Sequence, residues 1–205
     1  GEFMPLTFIP NDKGKLNPGA VISLENSKGW WNSLVAADFD NDGDMDYLAG
    51  NQGLNNWLKT SAAYPICVYA KDFDKKGRID PVLCHYVDGT EYIVHARDDI
   101  NMQMTAMKAR FTDYTAYAET KFKDAFLKDE IKDAYVLKCE TFSSMYIENK
   151  GNGKFDMKPL PIGAQLSPIY GMYSTDINAD GNMDVICVGN SFAPEVQTGR
   201  NDAQG

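Results

Sequence analysis

The chain has 205 residues, room for one sizeable domain or two small ones, and its 43% hydrophobic content with 11 Tyr, 10 Phe and 3 Trp excludes a disordered polypeptide. Twenty Lys and Arg stand against 29 Asp and Glu; the resulting net charge of -9 and pI near 4.7 argue against a nucleic-acid surface, which is normally basic. No run is long and apolar enough to span a membrane as a helix, and no partner nucleic acid is expected.

Gly1, Glu2 and Phe3 show neither the basic start nor the apolar stretch of a secretion signal and read as a cloning remnant. The first strong element follows. Ser33-Leu34-Val35-Ala36-Ala37 reads as a strand and enters Asp38-Phe39-Asp40-Asn41-Asp42-Gly43-Asp44-Met45-Asp46. A second strand then leaves through Tyr47-Leu48-Ala49 toward Gly50-Asn51. The loop fits D-x-[DN]-x-D-G-x-x-D. Oxygen side chains at positions one, three, five and nine, a carbonyl at seven and a turning Gly at six suit a hard cation, and Ca2+ fits best. Carboxylates packed this closely repel one another unless an ion neutralises them.

Residues 65–70 and 81–86 read as a second strand pair around Asp72-Phe73-Asp74-Lys75-Lys76-Gly77-Arg78-Ile79-Asp80. Here position five is Lys76, a cation in place of a ligand. The expectation is a similar turn held without calcium, with Lys76 partly neutralising the aspartates. The start lies 34 residues beyond Asp38, short for a whole four-stranded blade, so this pair is read as the second hairpin of the same sheet. Val87-Asp88-Gly89-Thr90 signals another turn.

From about Asp98 to Asp133 the pattern changes to helical spacing of Met102, Met104, Met107, Phe111, Tyr114, Tyr117, Phe122 and Phe126. Two or three short helices are predicted, capped by Asp98 or Asp99 and by Thr112. The Met and aromatic stripe reads as a packing face.

Strands return at 134–139 and 144–148, followed by the hairpin turn Asn149-Lys150-Gly151-Asn152-Gly153-Lys154-Phe155, since Asn and Gly accept positive φ. Residues 169–173 then enter Asp176-Ile177-Asn178-Ala179-Asp180-Gly181-Asn182-Met183-Asp184, and Val185-Ile186-Cys187-Val188 leaves toward Gly189-Asn190. Two matches with shared flanks make a repeat, and repeats decide architecture. An EF-hand would place Glu at position 12 between helices; these loops have Ala49 and Cys187 there, between strands.

Cys67, Cys84, Cys139 and Cys187 form no C-x-x-C pair, so zinc is not expected. Each lies in an apolar run, and free buried thiols are the preferred reading. Cys67 and Cys84, flanking one turn, are the pair placed to approach each other.

Strand, D-x-D-x-D-G-x-x-D, strand, Gly-Asn, then a hairpin at Asn-x-Gly-Asn-Gly-x-Phe resembles the FG-GAP or VCBS repeat, which builds β-propellers including the integrin α-subunit head. Segments 37–51, 146–155 and 173–190 carry the resemblance. The helical insertion and residues 194–200 resemble bacterial surface or secreted proteins of the ASPIC/UnbV type. The resemblance implies a mainly β fold: a partial β-propeller of calcium-loop blades with an inserted α-helical segment. It implies a first blade region at 4–97, a helical insertion at 98–133 and a further blade region at 134–205. Propellers have four to eight blades, so a remainder of a longer propeller or self-association through open strand edges is expected.

The resemblance also implies ligand sets. Asp38, Asp40, Asp42 and Asp46 would bind through side chains with the Asp44 carbonyl. Asp176, Asn178, Asp180 and Asp184 would do so with the Asn182 carbonyl, more weakly because one charge is lost. The implied function is a non-catalytic, calcium-stabilised module that binds protein or carbohydrate, in an extracytoplasmic setting. One alternative is a fragment of a secreted polysaccharide lyase, with His85 and His95 near Asp88, Arg97, Asp98 and Asp99 as candidate groups. Another is an adhesion domain whose metal bridges to a partner carboxylate. No Ser-His-Asp or Cys-His order is recognisable.

Overall fold

The computed structural model describes residues 1–191. Segment 194–200 lies outside the described residues. The fold is mainly β and divides into two compact units, residues 1–57 together with 141 onward, and residues 58–140. The second unit is thus an insertion within the first, and the helical segment expected at 98–133 is one part of it.

The first unit begins with six short strands: β1 (Glu2–Met4), β2 (Thr7–Phe8), β3 (Asn11–Asp12), β4 (Lys15–Leu16), β5 (Ile22–Ser23) and β6 (Gly29–Trp30). They pair in nested fashion, β1 with β6, β2 with β5 and β3 with β4. Residues 2–30 therefore form one long, broken hairpin. Its tip is the two-residue turn Lys13-Gly14, with φ of 50° and 88°, the left-handed pair that a twisted hairpin requires.

Next come β7 (Ser33–Ala37) and β8 (Asp46–Gly50), joined by the loop 38–46. In the second unit lie β9 (Ile66–Lys71), β10 (Asp80–Val87), β11 (Thr90–Ile93) and β12 (Tyr135–Cys139). The first unit resumes with β13 (Met145–Asn149), β14 (Phe155–Pro159), β15 (Gly171–Thr175) and β16 (Asp184–Val188).

One four-stranded antiparallel sheet of the first unit has the order β14-β13-β8-β7. β13 pairs with β8 through Met145↔Ala49, Tyr146↔Leu48 and Ile147↔Tyr47. The sequence pattern placed the hairpin of β9 and β10 in this sheet; it belongs instead to the second unit, because β13 occupies the free edge of β8. β15 and β16 form a separate two-stranded sheet, with β15 beside β7. Ser33 Oγ donates to the Ile169 carbonyl at 2.7 Å.

The core of this unit is Trp31, Ala49 and Ile147, with Leu6, Phe8, Leu24, Tyr47, Met145, Phe155 and Met157 packed around them. Phe8 stacks on Phe155 at 3.9 Å, tying the long hairpin to the sheet. The Gly-Asn pair after β8 has a physical reason. A Cβ on Gly50 would lie 2.6 Å from the Ile169 carbonyl oxygen. Asn51, fully buried, accepts from the Trp30 and Gln52 N–H groups and donates to the carbonyls of Thr141 and Ser143. It thereby satisfies backbone groups that no strand partner reaches.

The second unit has the sheet order β11-β10-β9-β12, all antiparallel. Helices α1 (Arg97–Gln103), α2 (Tyr114–Glu119), α3 (Phe122–Ala125) and α4 (Lys128–Ile131), with a 3-10 turn at Thr105–Ala109, contribute to its core. Asp98 and Asp99 stand in the first turn of α1 without bonding as caps, and Asp113, not Thr112, caps α2 by accepting from the Ala116 N–H. Most of the helical stripe is a packing face, but Met102 and Tyr114 depart from it and are exposed. Ile100, Met104, Met107, Phe111, Phe122, Ala125 and Phe126 bury themselves with Cys67, Val82 and Cys84 of the sheet. Arg110 binds both oxygens of Glu130 and the Ala125 carbonyl, joining the last turns of the segment.

None of the four cysteines is in a disulfide. Cys67 and Cys84 stand directly opposite on β9 and β10, and burial pushes the Cys67 thiol up to about 11. Cys187 departs from the expected burial and is exposed, because among the described residues β16 pairs only with β15.

Candidate metal centres

Three nine-residue loops share one backbone design. The first spans 38–46 between β7 and β8, the second 72–80 between β9 and β10, and the third 176–184 between β15 and β16. In each, the position-one carboxylate accepts the N–H groups of positions five and six. Asp38 takes Asp42 and Gly43 at 3.2 and 3.0 Å. Asp72 takes Lys76 and Gly77 at 2.9 and 2.8 Å. Asp176 takes Asp180 and Gly181 at 3.2 and 2.9 Å.

The position-nine carboxylate accepts the N–H of position two in all three: Asp46 from Phe39, Asp80 from Phe73 and Asp184 from Ile177, at 3.0 to 3.2 Å. Position four is left-handed each time, at Asn41 (60°), Lys75 (58°) and Ala179 (60°). At position six, Gly43 has φ of 92° with open space where a Cβ would go, so backbone conformation alone selects glycine there.

The loops differ in what their side chains gather. In the first, carboxylate oxygens of Asp38, Asp40 and Asp42 all lie within 4.8 Å of one another. Desolvation and the neighbouring charges of Asp42 and Asp46 raise the Asp40 carboxyl above its usual range. The Asp44 N–H donates to Asp42 at 2.8 Å, and Asp44 itself is an exposed residue. Asp46 is fully buried at the foot of the loop. Beyond Phe39, its oxygens accept the Tyr146 hydroxyl and the Asn149 N–H, each at 2.8 Å. The cluster of three and the buried fourth carboxylate thus sit in different surroundings.

In the third loop, amides relieve the crowding. Asn178 Nδ2 donates to Asp180 Oδ2, and the Asn182 N–H and Nδ2 both donate to Asp180 Oδ1. These bonds hold the Asp180 carboxyl below its usual range. Asn41 Nδ2 donates to Asn182 Oδ1 at 2.9 Å, so the first and third loops touch.

In the second loop the oxygens of Asp72, Asp74 and Asp80 lie within 4.8 Å of one another, and Lys76 Nζ sits 2.6 Å from Asp74. The sequence pattern identified the loop members but not Tyr146 and Asn149, which hold Asp46, nor the Asn41–Asn182 link. These pairings span about a hundred residues or more and leave no local signal.

The donor set of the first loop fits a hard divalent cation: oxygen donors only, three converging carboxylates and an excess of negative charge. The third offers oxygen donors with fewer charges. The two histidines are placed otherwise. His95 Nε2 accepts the Leu83 N–H at 3.1 Å, a structural role. His85 lines a cavity of about 280 Å³ with Tyr92, Tyr117 and Thr120, where burial lowers its pKa and no carboxylate is among the lining residues.

A family model described as the FG-GAP-like repeat matches residues 5–49. The matched segment holds most of the long hairpin, β7, the first loop and nearly all of β8. No curated protein and no solved structure matches the chain.

Proposed function

We propose that this chain, which carries an FG-GAP-like repeat at residues 5–49, is a calcium-stabilised, non-catalytic repeat module of the β-propeller type that binds protein or glycan outside the cytoplasm. The observation that carries the reading is the pairing of the first and third loops. Two oxygen-only loops of the same hydrogen-bond design close two hairpins of the same register and contact each other.

Asp38, Asp40 and Asp42 would hold the ion in the first loop, with Asp46 and the Asp44 carbonyl completing the set. Asp176, Asn178, Asp180 and Asp184, with the Asn182 carbonyl, would hold a weaker one in the third. The ion supplies positive charge where the carboxylates converge. The chain's own residues shape the loop through their N–H groups, so the ion's effect falls on stability of the hairpins.

Among the described residues β16 pairs only with β15, which supports assembly with further strands. Binding of partners is assigned to surface loops and the second unit. The placement of His95 Nε2 as acceptor of the Leu83 N–H supports a structural role for that residue.

Thermal unfolding in EDTA, followed by Ca2+ titration, tests this. Melting should rise with Ca2+, and Asp40→Ala and Asp180→Ala should each diminish the rise. A melting temperature indifferent to Ca2+, with no direct binding by calorimetry, would end the reading.

A further inference from the structure

The second loop is built like its counterparts yet electrically unlike them. The first carries five carboxylates and no cation: Asp38, Asp40, Asp42, Asp44 and Asp46. The second carries three carboxylates, Asp72, Asp74 and Asp80, and three cations, Lys75, Lys76 and Arg78. Position five is where this difference acts on the structure. Asp42 and Asp180 add a carboxylate there; Lys76 brings an ammonium group to 2.6 Å from Asp74 Oδ2.

The side chain of Asp74 is only 9% exposed, and a carboxylate so enclosed needs a counter-charge. Lys76 Nζ also donates to Thr105 Oγ1 at 3.1 Å, at the start of the 3-10 turn after α1. The same ammonium therefore answers the acidic cluster and links the loop to the helical segment.

We propose that Lys76 is a built-in cation that stands where the other loops would hold a metal ion. The second unit keeps its β9–β10 turn without metal, and a divalent-cation site lies latent under the lysine. Exchanging the ammonium for a carboxylate regenerates the position-five ligand beside Asp72, Asp74 and Asp80 and opens the site. Metal removal from the protein then loosens the first unit's loops and leaves this one unchanged.

The test is Ca2+ stoichiometry by calorimetry on the full chain, for wild type and Lys76→Asp, each also with Asp40→Ala and Asp180→Ala. Those two substitutions silence the other loops, so the outcome here is separate from the calcium reading above. Lys76→Asp should add one Ca2+ per chain, and the gain should persist in the silenced background and vanish with Asp74→Ala. A folded Lys76→Asp protein that gains no site overturns the proposal. So does a wild-type chain that binds Ca2+ at this loop in the silenced background.

Should Lys76→Asp fail to fold, Lys76→Met with amide exchange over residues 73–80 gives the decision. Exchange should be faster than wild type in EDTA and slowed by Ca2+ in the variant, with no Ca2+ effect in the wild type. Ca2+-dependent exchange of this segment in the wild type, or an unchanged variant, refutes it.

Discussion

The hairpins β7–β8 and β15–β16 carry the same loop in the same register, Ala37↔Asp46 matching Thr175↔Asp184 and Ser33↔Gly50 matching Gly171↔Val188. What lies beyond the outer strand differs. β8 is covered by β13, leaving Leu48 at 7% exposure and Asp46 at 0%. β16 has no such cover among the described residues: Ile186, the equivalent of Leu48, is 48% exposed, and Asp184, the equivalent of Asp46, is only half-buried. The loop keeps its shape in both settings, so the turn is a property of nine residues. The burial of its last carboxylate is a property of the sheet.

The widest separation of the two hairpins should come from the position-nine residues. Asp46→Ala strips acceptors from three donors, the Phe39 and Asn149 N–H groups and the Tyr146 hydroxyl, and should cost about 3 kcal/mol in urea unfolding. Asp184→Ala loses the acceptor of the Ile177 N–H in a solvated setting and should cost about 1 kcal/mol. Equal losses would mean that β13 does not set the energetics of Asp46. Tyr146→Phe isolates one bond of that network and should cost about 1–2 kcal/mol, measured the same way.

Acid sharpens the comparison by probing β13 directly. Glu148, buried on that strand, is held below its usual 4.5 by hydrogen bonds from Lys150 and Lys158. A depressed folded-state value means its contribution is complete above the unfolded value and is lost as pH falls through the lowered one. Glu148→Gln should flatten the stability–pH slope below about 4.5; an unaltered slope in urea titrations would show the pairing to be inert.

The smallest effect concerns position four. Asn41 and Ala179 share φ of 60°, and Ala pays a left-handed strain that Asn largely avoids. Ala179→Asn should stabilise by about 0.5 kcal/mol, and Asn41→Ala should destabilise by more, about 1 kcal/mol, because it also loses the bond to Asn182, read from metal-free unfolding midpoints.

What was legible in the sequence follows this same division. The loops, their flanking strands, the hairpin after Asn149 and the helical packing face are encoded within short windows, and the structure places them where the residues suggest. The hairpin of residues 2–30 escaped notice because its paired strands are only two or three residues long, too short for an alternating pattern. Its one clear local signal was Lys13-Gly14. The partnership of β8 with β13 left no trace, since Ala49 meets Met145 across an entire inserted unit and each strand's apolar run suits several neighbours. Lys76 was visible as a cation in the wrong place, but its bond to Thr105 needed the helical segment folded beside the loop.

That inserted unit has a kinetic meaning. Asp46 and Tyr146, bonded across the sheet, are 100 residues apart in the chain. Within the insert, Ile66 pairs with Cys139, and Thr60 Oγ1 donates to the Cys139 carbonyl. Once the insert has folded, its two ends are fastened together and the span that β8 and β13 must close shrinks about fivefold. By polymer loop-closure scaling this removes about 1.4 kcal/mol of entropic cost. The topology thereby favours one order of folding, in which the insert forms first as a clasp and β8 pairs with β13 after the clasp has shut.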